Sequence, residues 1–318
     1  MMPNFLIIGA PRCGTTSLYY NLATHPQIYM SQVKEMHFFH RSKDSISEDC
    51  LSQYQSFFRN ASQEFAVGEA TPSYLFDANA PDTIKSLIPE VKLIAILRNP
   101  ADPVYSQYLL RWRNNKLTTR VTEKELLKNF ASMIREYRIL KGKEEKKIFA
   151  EGFYREGLAR YRDNFGQEQM RIYLFEDFKV NPRAVLEDIC QFLCVDAQLL
   201  NTEKTSQIYN KGNVPKSRVV HESLENLRRI YNKKVRSRSS DKTLSAFSKN
   251  VNSPLATMSL HEPIREAYLK LRNYNSSSFK APQLPENIRA QLNEIYKEDI
   301  LSLQVSLKKD LISRWLEV

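Results

Sequence analysis

The stretch Phe5-Leu6-Ile7-Ile8-Gly9-Ala10-Pro11-Arg12-Cys13-Gly14-Thr15-Thr16-Ser17-Leu18 decides how this chain is read. Its four leading apolar residues fit a strand buried on both faces. A glycine-bracketed turn follows, and Thr15 to about Ala23 reads as a helix. Strand, loop and helix in that order make a phosphate cradle. Successive backbone N–H groups line the loop's concavity, and the helix N-terminus adds about half a positive charge. Thr15, Thr16 and Ser17 put hydroxyl donors on the first turn. The competing reading is a plain strand-turn-helix corner; with only 8 glycines in the chain, two at this spacing weigh against it.

The spacing is close to the phosphate-loop pattern G-x-x-x-x-G-K-[ST]. Gly9, Gly14 and Thr16 fill their places, but Thr15 stands in the lysine place. The nearby cation is Arg12, inside the loop. An ATPase without that lysine loses its main contact to the β/γ-phosphates, so the stretch reads as an anion cradle rather than an ordinary ATP-hydrolysing loop.

Moving outward, Ile28-Tyr29-Met30 reads as a short strand. Lys34-Glu35-Met36-His37-Phe38-Phe39 sets charged residues and a histidine directly against aromatics. His37 is a candidate general base or nucleotide contact, and equally a hydrogen-bonded structural residue. Lys34 bears on the cradle only if this loop folds back over it. Gln53 to Arg59 reads as a helix with apolar Tyr54, Phe57 and Phe58.

Phe65-Ala66-Val67-Gly68 reads as a second core strand, running into Glu69-Ala70-Thr71-Pro72-Ser73-Tyr74. Open α/β sheets bind ligands outside the carboxyl ends of their strands. Glu69, one residue past an apolar strand, is therefore a candidate base, and partial burial would raise its pKa toward a useful range. The alternative is a glutamate capping the next turn. Pro81 to Ile88 reads as a short helix. Lys92-Leu93-Ile94-Ala95-Ile96-Leu97 is a clear strand ending in Arg98-Asn99-Pro100. In many phosphate-loop NTPases such a strand ends in an acidic residue serving Mg²⁺. Arginine is a bidentate phosphate ligand instead. The next helix, Asp102 to about Arg113, carries Ser106 about two turns beyond Arg98.

The 318 residues suit one large α/β domain or a domain with an appended subdomain. The formal charge of +11 favours an anionic ligand, an acidic acceptor, nucleic acid or a membrane surface. No nucleic-acid motif is present, and no metal pattern joins the 4 cysteines to the 5 histidines. Cys190 and Cys194, four apart in an apolar run, read as buried thiols. No run is long and apolar enough to span a bilayer, and the expectation is a cytoplasmic protein needing no metal.

Gly9 to Ser17, Gly68-Glu-Ala-Thr-Pro-Ser-Tyr74, and Leu97-Arg-Asn-Pro followed by Ser106 together resemble sulfotransferases that use 3′-phosphoadenosine 5′-phosphosulfate. Among these the chain looks most like bacterial enzymes related to the heparan sulfate sulfotransferases, where a Lys-Glu-x-His-Phe-Phe segment is frequent. The resemblance implies that Arg12, Cys13, Gly14, Thr15, Thr16 and Ser17 hold the 5′-phosphosulfate. It implies that Arg98 and Ser106 hold the 3′-phosphate and that Glu69 is the base. Arg12, with Lys34, would stabilise the leaving phosphate oxygen; many members have lysine at the Arg12 position. The acceptor implied is a carbohydrate, with a small alcohol or phenol next, attacked through a hydroxyl or amine.

The later chain is less informative. Glu123 to Lys147 reads as one charged amphipathic helix. Tyr154 to Phe165 has helical spacing, Arg171 to Phe175 reads as a strand, and Asn181-Pro182 opens a helix to Cys194. Glu176 reads as structural. Lys211, Gly212, Lys216 and Arg218 resemble a basic loop that closes over the nucleotide; a solvated basic loop is the alternative. Val235 to Pro254 reads as an excursion near the acceptor, Asn273 to Ser278 as a polar connector, and a long amphipathic helix starts near Pro285. The expected fold is α/β: a central parallel sheet of about five strands flanked by helices, with a helical C-terminal part. One domain spans 1–318, its core roughly 1–200. Two other classes remain open. A kinase or NTPase would bind Mg·ATP, and a non-enzymatic polyanion binder would show salt-sensitive binding without nucleotide selectivity.

Overall fold

A computed structural model describes residues 1–115, 122–139, 144–201, 213–215, 274–278 and 282–317, with isolated residues between 220 and 271. The first strand, β1 (Phe5–Gly9), is buried at every position and lies at the centre of a five-stranded parallel sheet. Helix α1 (Thr15–Leu22) leads away from it to the edge strand β2 (Ile28–Met30). After α2 (Glu48–Ser56), β3 (Ala66–Ala70) returns between β2 and β1. After α3 (Ala80–Leu87), β4 (Lys92–Leu97) docks on the other side of β1, and β5 (Met170–Leu174) completes the order β2-β3-β1-β4-β5. The chain thus turns one way from β1 and later the other, so β1 sits at the topological switch point, where such sheets bind ligands.

Register follows from packing. Phe5 lies opposite Gly68 of β3 and Lys92 of β4. A Cβ on Gly68 would stand 2.3 Å from the Phe5 ring, so the aromatic occupies space that only glycine leaves.

Between β4 and β5 run α4 (Ala101–Asn115), α5 (Glu123–Arg135), α6 (Glu144–Ala150) and α7 (Tyr154–Asn164). The expected single helix over 123–147 is therefore divided. Thr122 and Glu125 start α5 with a reciprocal capping box, and α5 ends before a separate turn at Tyr137–Ile139. Phe175 is not the end of β5 but the first residue of α8 (Phe175–Val180). In α9 (Pro182–Leu193) the Asn181 side chain accepts from Ala184 N–H, as its N-cap chemistry requires. Cys190 is buried, but Cys194 is exposed, because it caps α9 in the left-handed region at φ 61.

The long helix α10 (Glu286–Leu307) lies where the apolar spacing placed it. Its Leu292, Tyr296, Ile300 and Leu303 join the same core as the sheet, together with Trp315 of α11 (Ile312–Trp315). Within the expected polar connector, β7 (Ser276–Ser278) pairs antiparallel with β6 (Asn213–Pro215). No helix among the described residues is long and apolar enough to cross a membrane.

Candidate active site

The cradle loop leaves β1 with Ala10 N–H bonded to Ile96 C=O of β4 at 2.8 Å. Gly14 then caps α1 at φ 95. A side chain there would be strained, and its Cβ would lie 2.7 Å from the Phe175 ring. Thr15 is buried; Thr16 and Ser17 are half-buried. The Cys13 thiol is sealed beneath the loop, 3.6 Å from the Tyr154 hydroxyl, and burial pushes its pKa up to about 12. It belongs to the cradle through its backbone and has no thiolate to offer near neutral pH.

Arg98 lies just past β4 as expected and is held on several sides. Its guanidinium stacks over Phe175 at 4.7 Å and pairs with Asp102 at 3.0 Å. Its carbonyl accepts from Tyr154 Oη at 2.9 Å, and the next amide, Asn99 N–H, donates to Glu176 at 3.3 Å. Asp102 also receives Arg289 of α10 at 2.5 Å. One turn further along α4, Ser106 Oγ accepts from Arg12 Nε at 2.9 Å. Asp102 and Ser106 lie four apart on one face of α4, and Arg98, just before the helix, pairs with Asp102. The loop after β1, the loop after β4, α4 and α10 thus meet at one polar cluster, in which Arg98 and Arg289 share Asp102 and Arg12 holds Ser106.

The expected position of Glu69, one residue past the strand, needs correction. It lies within β3, opposite Leu6 of β1, and has no exposed surface. Its Oε1 accepts from Tyr54 and Tyr74 hydroxyls at 3.0 Å each, and its Oε2 accepts from Thr71 at 2.9 Å. Burial raises its pKa to about 7, against the pull of these hydroxyls and of Lys34. The shift resembles that of a catalytic base, and the carboxylate is enclosed by the surrounding chain. The apolar run continued through Glu69 because helix α2 covers it with Tyr54, which stacks on Phe38 at 4.0 Å. α2 itself begins earlier than expected, at Glu48, because Ser47 caps it.

A more exposed carboxylate on the neighbouring loop is Glu35, which the sequence reading left without a role. Its N–H donates to Ala70 C=O at the end of β3 at 2.9 Å, folding this loop back onto the carboxyl end of the sheet. Lys34 Nζ pairs with Glu35 Oε1 at 2.6 Å, with side-chain exposures of 13% and 34%. His37 Nδ1 and His40 Nε2 both lie 3.2 Å from Ser73 Oγ. Burial lowers the His37 pKa to about 4 and moves His40 the same way, so His37 is neutral near pH 7. Arg12, Glu35 and His37 have φ of 63, 62 and 55. They are three of the five non-glycine residues at positive φ among the described residues. Backbone strain of about 1–3 kcal/mol per residue concentrates where a site demands it. A left-handed backbone has no one-residue signature outside glycine, which is why Glu35 was missed.

Glu151, in the turn between α6 and α7, is a further unforeseen member. Burial pushes its pKa up to about 7, while Arg111 and Arg12 pull it back. Lys211, Gly212, Lys216 and Arg218 lie outside the described residues, as does 235–254.

The chain is similar to several known proteins. Carbohydrate sulfotransferase 15 of Mus musculus is 29% identical over 244 residues, covering 60% of this chain and 44% of the relative. Bifunctional heparan sulfate N-deacetylase/N-sulfotransferase 3 of Homo sapiens is 27% identical over 200 residues, covering 61% of this chain and 22% of the relative. The chain therefore spans less than half the length of these relatives. A solved sulfotransferase from Alicyclobacillus acidocaldarius superposes with a TM-score of 0.54 at 29% identity, over 77% of this chain and 95% of that one. The sulfotransferase domain family model matches residues 2–300, from before the cradle strand into α10, and the chain belongs to that family.

Proposed function

We propose that the chain transfers a sulfuryl group from 3′-phosphoadenosine 5′-phosphosulfate to a hydroxyl or amine of a carbohydrate acceptor. The observation that carries the reading is the arginine network around the cradle: Arg12 on Ser106, and Arg98 held by Asp102 and Phe175 at the end of β4. The donor is an anion at both ends, and this chain meets it with N–H groups of the loop, the α1 N-terminus and guanidinium forks. The carbohydrate acceptor is supported by the names of the relatives, carbohydrate and heparan sulfate sulfotransferases.

In this reading the loop from Arg12 to Ser17 grips the 5′-phosphosulfate, and Arg98 and Ser106 grip the 3′-phosphate. Arg12 and Lys34 offset charge on the leaving oxygen; one such donor is worth roughly 10²–10³ in rate. Glu35 rather than Glu69 takes the acceptor's proton, because it is exposed beside Lys34 while Glu69 is enclosed. A base so placed contributes about 10²–10⁴. Neutral His37 stands on the same loop and orients the acceptor. Glu69 acts from below, fixing Tyr54, Tyr74 and Thr71.

The test is calorimetric titration with adenosine 3′,5′-bisphosphate beside ATP, with and without Mg²⁺. Tight, metal-independent binding of the bisphosphate, weakened by Arg98→Ala, is the expected result. Preference for Mg·ATP would overturn the reading in favour of phosphoryl transfer.

A further inference from the structure

We propose that Arg12 reads the donor's 3′-phosphate as well as its 5′-phosphosulfate, so that the cradle arginine itself separates 3′-phosphorylated nucleotides from plain 5′-nucleotides. This rests on the donor reading above.

The geometry comes from one contact and its surroundings. Arg12 belongs by sequence to the loop that faces a 5′-phosphate, yet its Nε–H donates to Ser106 Oγ, 94 residues away, at 2.9 Å. Ser106 lies on the α4 face that carries Asp102, and Asp102 pairs with Arg98 at 3.0 Å. An anion drawn to Arg98 and Ser106 therefore meets the Arg12 guanidinium at the same place. The inner nitrogen makes the difference between arginine and lysine. A lysine carries a methylene where Arg12 presents Nε–H, and its single ammonium is a point charge that serves one centre at a time. A guanidinium can keep Nε on Ser106 while its outer nitrogens serve a second oxyanion.

Arg12 has a left-handed backbone, φ 63, and its side chain reaches α4 at Ser106. Lysine at this φ carries the same backbone cost, because both side chains are unbranched at Cβ. Arg12→Lys therefore isolates the side-chain difference.

Wild type, Arg12→Lys, Ser106→Ala and the double variant are titrated with adenosine 3′,5′-bisphosphate and with adenosine 5′-monophosphate. Thermal melting of each variant checks folding, and Arg12→Gln is the second substitution if Arg12→Lys melts early. The expected result is a loss of tenfold or more in bisphosphate affinity for Arg12→Lys, with monophosphate affinity changed less than threefold. The double variant should then lose clearly less than the product of the single losses, the sign that the two residues act on one group. Equal weakening of both nucleotides would overturn the inference, assigning Arg12 to the 5′ end alone. If wild type shows no preference for the bisphosphate, the donor reading itself falls; a preference that survives Arg12→Lys unchanged sinks only this inference.

Discussion

Two carboxylates stand near the carboxyl end of the sheet, and they live in opposite surroundings. Glu69 sits inside β3 with zero exposure and three hydroxyls on its oxygens. Glu35 stands on the loop beyond β2, paired with one lysine and one-third exposed. The first has a pKa raised to about 7, the property usually sought in a general base, and no access. The second has access, a cationic neighbour and a strained backbone. A perturbed titration marks an unusual environment; only geometry tells whether chemistry can reach it.

The largest effect that bears on this contrast is kinetic. Glu35→Gln should lower kcat by about 10²–10⁴ while leaving adenosine 3′,5′-bisphosphate binding within a few-fold. Glu69→Gln should lower it less than tenfold, since an amide can still accept from both tyrosines. Steady-state rates with a carbohydrate acceptor measure both, and the reverse order would return the base to Glu69.

Next in size is stability. Glu69→Ala strands three buried hydroxyls and should cost roughly 3 kcal/mol or more in urea unfolding. The pH dependence sharpens the same point. A carboxyl whose folded pKa lies above its unfolded value keeps its proton longer in the native state. Its contribution to stability is therefore fullest below about pH 4.5 and is lost as pH rises toward about 7. At 1.36 kcal/mol per unit this group accounts for about 3 kcal/mol of decline across that window. Glu69→Gln should flatten the decline, read from urea midpoints at pH 5 and pH 8; an unchanged slope would show that Glu69 ionises freely in the native protein.

The smallest effect is Tyr54→Phe. It removes one donor to Glu69 and keeps the ring stacked on Phe38, so about 1 kcal/mol is expected. Glu35 should retain its kinetic role, and kcat should stay within a few-fold.

What the sequence disclosed was local. The β1 cradle and β4 with Arg98 are each written in fewer than fifteen consecutive residues, so apolar runs and glycine spacing expose them. The cage around Glu69 was not legible. Tyr54 lies 15 residues upstream and reads as part of an apolar helix face, giving no sign that its hydroxyl meets a carboxylate. Arg289 reaches Asp102 across 187 residues, a separation at which no spacing rule operates. The 123–147 stretch misled in another way. Its apolar residues keep mixed three- and four-residue intervals across the Tyr137–Ile139 turn, so periodicity alone could not divide it.

The C-terminal part has a consequence for how the protein comes into being. Trp315 C=O accepts from Asn99 Nδ2 at 2.7 Å and from Asn293 Nδ2 at 2.9 Å. Asp299 accepts the Tyr154 N–H at 3.0 Å, and Tyr154 in turn holds the Arg98 carbonyl. Domains emerge from the ribosome amino end first. The strands up to Leu174 can therefore pair before residue 315 has been made, but the segment bearing Arg98 cannot acquire its final supports until then.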